Sequence, residues 1–130
     1  MTARLTRALV LLSGGLDSSV LLHAVRRRLG PAGALHVLSF DYGQKHAREL
    51  DLAREQAARA RAASHRVVPL PFFPDLIAGG AALTDAAIPV PALAALTPAQ
   101  RVQPPTYVPN RNLILLALAA AAAEAAGVAD

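Results

Sequence analysis

A short polar segment between two apolar stretches has the residue types of an anion-binding loop. It comprises Ser13, Gly14, Gly15, Leu16, Asp17, Ser18 and Ser19. The two glycines have no Cβ, so the backbone can turn sharply and an anion can approach its N–H groups closely. The hydroxyls of Ser13 and Ser18 are further donors, and Asp17 is suited either to binding Mg²⁺ or to capping a helix. The segment predicts a phosphate site, with an ordinary strand-to-helix turn as the alternative.

The flanking sequence predicts the strand and the helix that would position this loop. Residues 8–12 form an apolar run, which is typical of a strand covered on both faces. Asp17, Ser18 or Ser19 could cap the helix that follows. Its apolar positions recur at helical spacing and are Val20, Leu21, Ala24, Val25 and Leu29. The free N–H groups and positive dipole end of such a helix stabilise a bound phosphate.

A second segment carries groups suited to a small-molecule substrate. Tyr42, Gln44, Lys45 and His46 follow a predicted strand at residues 34–40. They combine an aromatic ring, an amide, a cation and an imidazole, a set that suits a heterocycle bearing a carboxylate. In a parallel sheet, ligands bind beyond the carboxyl ends of the strands, where this segment would lie. A packing role for Tyr42 and a helix-end role for His46 are the alternatives.

A third segment places Arg111 and Asn112 at the start of a predicted helix over residues 111–126. Asn110 is suited to cap this helix, and Gly127 is suited to end it. An arginine in the first turn opposes the helix dipole, so it gains there only from a bound anion. Arg111 and Asn112 are therefore candidates for binding a phosphate or a carboxylate.

The alternation of strands and helices predicts an α/β protein with a doubly wound parallel sheet. Gly30 should end the first helix, and residues 65–70 should form a third strand. A helix over residues 47–62 should pair Glu55 with Arg59 on its solvent-exposed face. Its buried face should be formed by Leu50, Ala53, Ala57 and Ala60.

Proline marks the region that follows the third strand. Nine of the ten prolines lie within residues 69–109, where a single short helix near residues 72–78 is expected. A connection of this length in a compact domain is usually functional or disordered. We predict a lid or loop over about residues 70–109.

Composition narrows the class of protein. The chain has 130 residues, of which 54% are hydrophobic, enough for one globular domain. Its net charge of +4, almost entirely from arginine, would be compatible with a nucleic-acid partner. However, only 4% of the residues are aromatic and none is tryptophan, so few side chains could stack on bases. Direct nucleic-acid binding is therefore not expected. There is no cysteine for a disulfide, a thiolate zinc site or a nucleophile. The apolar run at residues 113–123 is shorter than the roughly 20 residues that span a bilayer, so a cytoplasmic protein without a membrane partner is expected.

The loop at residues 13–18 resembles the SGGxDS motif of the ATP pyrophosphatase (PP-loop) superfamily, whose fold is adenine nucleotide alpha hydrolase-like. The chain lacks the Gly-Lys-Ser/Thr ending of a Walker loop and the third glycine of a dinucleotide fingerprint. Members of the superfamily typically use ATP to adenylate an oxygen atom of the substrate, and a nitrogen or sulfur nucleophile then attacks.

Taken together, the segments resemble the QueC family of 7-cyano-7-deazaguanine synthases. The resemblance rests on residues 13–18, 40–46, 83–85, 88–91 and 106–112, in the family's order and spacing. It implies a ligase forming C–N bonds, which converts 7-carboxy-7-deazaguanine and ammonia with ATP to 7-cyano-7-deazaguanine (preQ0) for queuosine synthesis. Another PP-loop ligase acting on tRNA, or an inactive ATP-binding fragment, is the alternative.

The resemblance also implies roles for the candidate residues. ATP would bind at residues 13–19, with Asp17 as the candidate ligand of Mg²⁺. The substrate would contact Tyr42, Gln44, His46, Arg111 and Asn112, and catalytic roles would fall to Asp17, Lys45 and Arg111. Homodimerisation is left open.

Two features depart from the family pattern. Asn110 stands where the family usually has glycine, and asparagine tolerates left-handed geometry better than most residues. The family also carries a structural Zn²⁺ site of cysteines near its C-terminus, whereas this chain has no cysteine. We therefore predict a single incomplete PP-loop domain over residues 1–130, truncated after the fourth helix. A fourth strand, expected after Gly127, would pair with the first.

Overall fold

The computed structural model describes residues 4–43, 48–76 and 111–128. Backbone contacts divide the chain into two compact units. The first contains Met1–Phe40, Arg48–Val68 and Asn112–Asp130, and the second contains Asp41–Ala47 and Pro69–Arg111. The elements in chain order are β1 (Arg7–Leu11), α1 (Leu16–Leu29), β2 (Ala34–Asp41), α2 (Arg48–Arg59), β3 (Ser64–Pro69), α3 (Phe73–Leu76) and α4 (Arg111–Ala125).

The three strands form a parallel sheet in the order β1-β2-β3. Arg7 lies opposite Ala34 and Leu11 opposite Leu38, in parallel register. Strand β3 runs the same way, because Ala63 N–H donates to the Leu35 carbonyl and Leu70 N–H to the Asp41 carbonyl, each at 2.7 Å. This architecture confirms the predicted α/β class with a parallel sheet, and the strand boundaries lie within one residue of those predicted.

Burial differs between the first two strands. In β1 the buried Ala8 and Val10 alternate with half-buried residues, so one face is more fully covered than the other. In β2 the four consecutive residues at 37–40 are all buried, as expected for a strand with neighbours on both sides. Within the described part of the chain, β1 has a single neighbour in the sheet.

Helix α1 packs on the core with only part of its predicted apolar set. Leu22 and Leu29 are buried and Val25 packs against the core, whereas Val20 and Leu21 are 59% and 52% exposed. Of the five predicted apolar positions, Val25 and Leu29 face the core, and Val20, Leu21 and Ala24 are exposed. One inward position is polar: both terminal nitrogens of Arg26 donate to the Gly33 carbonyl, at 3.2 and 2.5 Å. An apolar pattern does not predict this inward arginine, whose buried Nε has no hydrogen-bond partner among the described residues.

Helix α2 follows the prediction closely. Leu50, Ala53 and Ala57 are buried, as is Ala60 just beyond the helix. Ala53, Ala57 and Ala60 belong to one cluster with buried residues of β1, α1 and β2. Glu55 and Arg59 form an exposed ion pair at 2.7 Å. Small alanines on the inner face let the helix pack closely on the sheet.

The carboxyl ends of helices α1 and α4 lie at the glycines predicted from the sequence. Gly30 after α1 and Gly127 after α4 have φ values of +69° and +68°, left-handed conformations that favour glycine. Helix α3 is a single turn within the predicted range. The proposed lid lies mostly outside the described residues. No helix in the described segments is long and apolar enough to cross a membrane.

Candidate functional site

The loop between β1 and α1 is shaped by a close approach to helix α2. Gly14 has a φ of +91°. A Cβ at this position would lie 1.9 Å from the carbonyl oxygen of Glu49. Gly15, by contrast, has a φ of −76°, and its nearest neighbour to an added Cβ would be the Ser13 hydroxyl at 3.4 Å. The two glycines therefore have different roles, and only Gly14 needs the absence of a side chain.

Helix α1 begins immediately after this turn, at Leu16, and its N-cap is Gly15. No side chain forms a capping hydrogen bond, so the expectation that Asp17, Ser18 or Ser19 caps the helix was wrong. The first intrahelical bond runs from Ser19 N–H to the Gly15 carbonyl, at 3.1 Å. The N–H groups of Leu16, Asp17 and Ser18 have no acceptor within the described residues. These three donors, at the positive end of the helix dipole, suit a phosphate.

The serine hydroxyls form hydrogen bonds within the loop. Ser13 Oγ accepts from Gly15 N–H at 3.2 Å and lies 2.9 Å from Ser18 Oγ. Ser18 Oγ in turn accepts from Ser13 N–H at 3.2 Å. Ser18 and Ser19 also donate to the Gly15 carbonyl, at 3.3 and 2.8 Å. The hydroxyls therefore hold the backbone in the shape that leaves the three N–H groups free.

Asp17 is exposed in the first turn of α1, where its charge is favourable to the helix dipole. A lone carboxylate of this kind has room to take part in a Mg²⁺ site together with phosphate oxygens. No group of three or more potential metal ligands occurs among the described residues.

A buried hydrogen-bond network lies directly behind the loop. Ser39, 2% exposed, donates from Oγ to the Leu12 carbonyl at 2.6 Å. Its Oγ is also 2.8 Å from His65 Nε2. Burial, followed by the positive charge of Arg54, lowers the pKa of His65 below its ordinary value of 6.5. Neither residue is among the site residues predicted from the sequence, although a serine within the apolar run of β2 is a signal.

The second unit contains Tyr42. Its ring lies 5.6 Å from that of Phe73, centroid to centroid, at an angle of 59°. Gly43 N–H donates to Asp41 Oδ1 at 3.3 Å, and Gly43 has a φ of +82°. Tyr42 is half-buried. The packing role that the sequence left open for Tyr42 is thus present in the structure.

The described residues include only part of the predicted substrate site. Gln44, Lys45 and His46 lie outside the described residues, and only the backbone of Arg111 is described. Arg111 is the first residue of α4, and Asn112 is exposed in its first turn, as the sequence predicted. The seven residues of the loop are the part of the predicted site that the structure brings together.

Comparison with known proteins identifies close relatives. The model of the family described as "Queuosine biosynthesis protein QueC" matches residues 7–130. The 7-cyano-7-deazaguanine synthase of Anaeromyxobacter dehalogenans strain 2CP-C is 52% identical over 127 residues, covering 97% of this chain and 51% of that protein. The synthase of the same name from Thiobacillus denitrificans is 50% identical over 123 residues, covering 95% of this chain and 50% of its own length.

The chain therefore spans about half the length of the curated relatives that it matches. The family match extends from the start of β1 through the loop and α4. Residues 13–19 thus lie in the part that the chain shares with these relatives, and the chain belongs to the QueC family of queuosine biosynthesis proteins.

Proposed function

We propose that this chain forms the ATP-binding part of an enzyme that converts 7-carboxy-7-deazaguanine and ammonia to 7-cyano-7-deazaguanine. The observation that carries the proposal is the 52% identity, over 97% of the chain, to a protein named 7-cyano-7-deazaguanine synthase. The free N–H groups at the start of α1 support it independently, because they give the loop a chemical reason to bind a phosphorylated substrate.

In this proposal the triphosphate of ATP lies against residues 13–19. The N–H groups of Leu16, Asp17 and Ser18 donate to phosphate oxygens, and the α1 dipole stabilises their negative charge. Gly14 keeps the loop close to α2, so no side chain intrudes on the turn. Asp17 helps to hold Mg²⁺, which supplies charge neutralisation when bound.

The reaction requires two activations of the same carbon. ATP first activates the substrate carboxylate, ammonia attacks, and one carboxylate oxygen leaves with the activating group to give an amide. A second activation takes the amide oxygen, and loss of the two remaining N–H protons forms the nitrile. The loop contributes by stabilising charge that develops on the leaving phosphates.

The other candidate residues have roles around the substrate in this proposal. Lys45 and Arg111 neutralise negative charge on the carboxylate or the phosphates. Tyr42, Gln44, His46 and Asn112 bind the heterocycle and its polar edge. The cysteine Zn²⁺ site that the family resemblance implies does not fit this chain, since it has no cysteine.

The test is a product assay with ATP, Mg²⁺, ammonia and 7-carboxy-7-deazaguanine, followed by mass spectrometry for the nitrile. Because the chain covers half of its relatives' length, it is assayed alone and fused to the half of the Anaeromyxobacter dehalogenans synthase that it does not cover. We expect ATP-dependent nitrile from the fusion. ATP binding without a nitrile in either preparation, or formation of a modified tRNA instead, would contradict the proposed reaction.

Two variants test the loop in the same assay. Asp17→Ala should lower turnover about tenfold or more, since it removes a carboxylate that helps to hold Mg²⁺ beside the phosphates. Asp51→Ala is the matched control, because Asp51 is also an exposed acid in the first turn of a helix. Equal losses in both variants would show that Asp17 has no special role.

A further inference from the structure

We propose that His65 is a positioning residue for the phosphate loop and acts through Ser39 on the carbonyl of Leu12. The inference rests on the proposed function in one respect, namely that residues 13–19 bind the phosphates of ATP. Neither His65 nor Ser39 belongs to the loop. Ser39 lies in β2 and bonds the Leu12 carbonyl just after β1, while His65 lies in β3 and bonds Ser39.

The direction of each hydrogen bond follows from the groups involved. The Leu12 carbonyl can only accept, so the single hydroxyl proton of Ser39 is directed to it. His65 Nε2 must then donate to Ser39 Oγ, which places the ring proton on Nε2 when the imidazole is neutral. The lowered pKa of His65 agrees with a neutral imidazole at pH 7.

Both backbone polar groups of Leu12, the residue that joins β1 to the loop, are hydrogen-bonded. Leu12 N–H donates to the Leu38 carbonyl at 2.9 Å, while the Leu12 carbonyl accepts from Ser39. The next residue is Ser13, whose Oγ accepts from Gly15 N–H and contacts Ser18 Oγ. A continuous series of bonds thus connects β3 with the first turn of α1. Such support from behind a site preorganises the donors that face a ligand.

The stability of the fold alone gives little reason to bury a hydrogen-bonded serine at position 39. A buried polar group must make its hydrogen bonds to offset its loss of hydration, and an apolar residue of similar size avoids that cost. Ser39 is the buried polar residue in the otherwise apolar part of β2 at residues 37–40. Its two partners are the residue preceding the loop and an imidazole, so the polar group is placed where it can control loop geometry.

The same sheet supplies a matched control. His36 Nδ1 lies 2.8 Å from Ser64 Oγ, so another serine–histidine pair joins β2 to β3. Ser64 directly precedes His65 in β3, but the His36–Ser64 pair has no described bond to Leu12 or to the loop. Removing it tests the general effect of losing a bond between these strands.

The experiment compares Ser39→Ala, Ser39→Thr and His65→Phe with Ser64→Ala and the wild type. Hydrogen exchange is measured in ligand-free protein at the amides of Leu12, Ser13 and Gly15, which are hydrogen-bonded in the structure. We expect about fivefold faster exchange in Ser39→Ala and His65→Phe, equivalent to losing one hydrogen bond of about 1 kcal/mol. Ser39→Thr keeps the hydroxyl and should exchange like the wild type, as should Ser64→Ala.

Nucleotide affinity provides the second readout. Ser39→Ala and His65→Phe should weaken ATP binding about fivefold and leave adenosine binding unchanged, because adenosine has no phosphate to contact the loop. A loss of ATP and adenosine affinity by the same factor would indicate a general structural effect and overturn the inference. Unchanged exchange at the amides of Leu12, Ser13 and Gly15 would also overturn it.

The two proposals fail in different ways. If the wild type binds no ATP, the proposed function fails, but the exchange comparison still decides whether His65 and Ser39 position the loop. If Ser39→Ala does not fold, His65→Phe carries the test, since His65 is only half-buried and phenylalanine preserves the ring volume.

Discussion

Gly14 combines a positive φ with a close contact to α2, and both features require a residue without a side chain. Its φ of +91° disfavours any residue with a side chain, and an added Cβ would collide with the Glu49 carbonyl. The glycine therefore allows both the turn of the loop and its close packing against α2. Neighbouring Gly15 has ordinary geometry and space around it.

This difference predicts opposite outcomes for two matched substitutions. Gly14→Ala should lower the free energy of unfolding by about 3 kcal/mol or more, because it adds both backbone strain and a collision with backbone atoms. Gly15→Ala should cost about 1 kcal/mol or less, the typical effect of alanine at an N-cap. Urea unfolding followed by circular dichroism measures both. Similar values for the two variants would contradict the described loop geometry.

At the scale of elements, the contacts around helix α1 determine its rotation about its own axis, and so which side chains face the core. Its first turn continues directly from the loop that packs on α2, and Arg26 faces inward to reach the Gly33 carbonyl. Leu22 is consequently 0% exposed while its neighbour Leu21 is 52% exposed. The apolar pattern at residues 20–29 is compatible with more than one rotation, because leucine and valine occur on several sides of the helix.

Adjacent leucines test this rotation. Leu22→Ala should lower the free energy of unfolding by about 3 kcal/mol, as is typical for a buried leucine that leaves a cavity. Leu21→Ala should change it by about 1 kcal/mol at most, since an exposed side chain loses few contacts and alanine favours helix. Chemical denaturation of the two variants, with helix content checked in each, gives the comparison. A larger loss from Leu21→Ala would reverse the assigned face.

For the whole molecule, the titration of His65 links stability to pH. The pKa of His65 is lowered in the folded state, mainly by burial and then by Arg54. As pH falls below about 6.5, the unfolded chain therefore binds a proton on this residue before the folded chain does. This contribution to stability is complete above pH 6.5 and is lost as pH falls towards the lowered folded pKa.

We expect the melting temperature of the wild type to fall between pH 7.5 and pH 5.5 by more than that of His65→Gln. Glutamine cannot take up a proton in this range, and its amide can still donate to Ser39. Thermal unfolding at both pH values measures the difference, with His36→Gln as a control for loss of another half-buried imidazole. An identical pH effect in the wild type and His65→Gln would assign the effect to other groups.

The residue pattern by itself determined much of this protein. Paired glycines and serines between an apolar strand and a helix predicted the loop, because few backbone shapes fit that composition. The inner face of α2 and the glycines that end α1 and α4 were also predictable, since helical spacing and left-handed conformations depend on local sequence.

Only the tertiary structure decided how these parts are held. It set the rotation of α1, placed the N-cap at Gly15 and made Gly14 a contact with α2. It also brought His65 to Ser39, from positions 26 residues apart in the chain, and Ser39 to the Leu12 carbonyl. The physical reason is that a polar group can be buried wherever a distant carbonyl or imidazole satisfies it, and such partners are found only once the chain has folded.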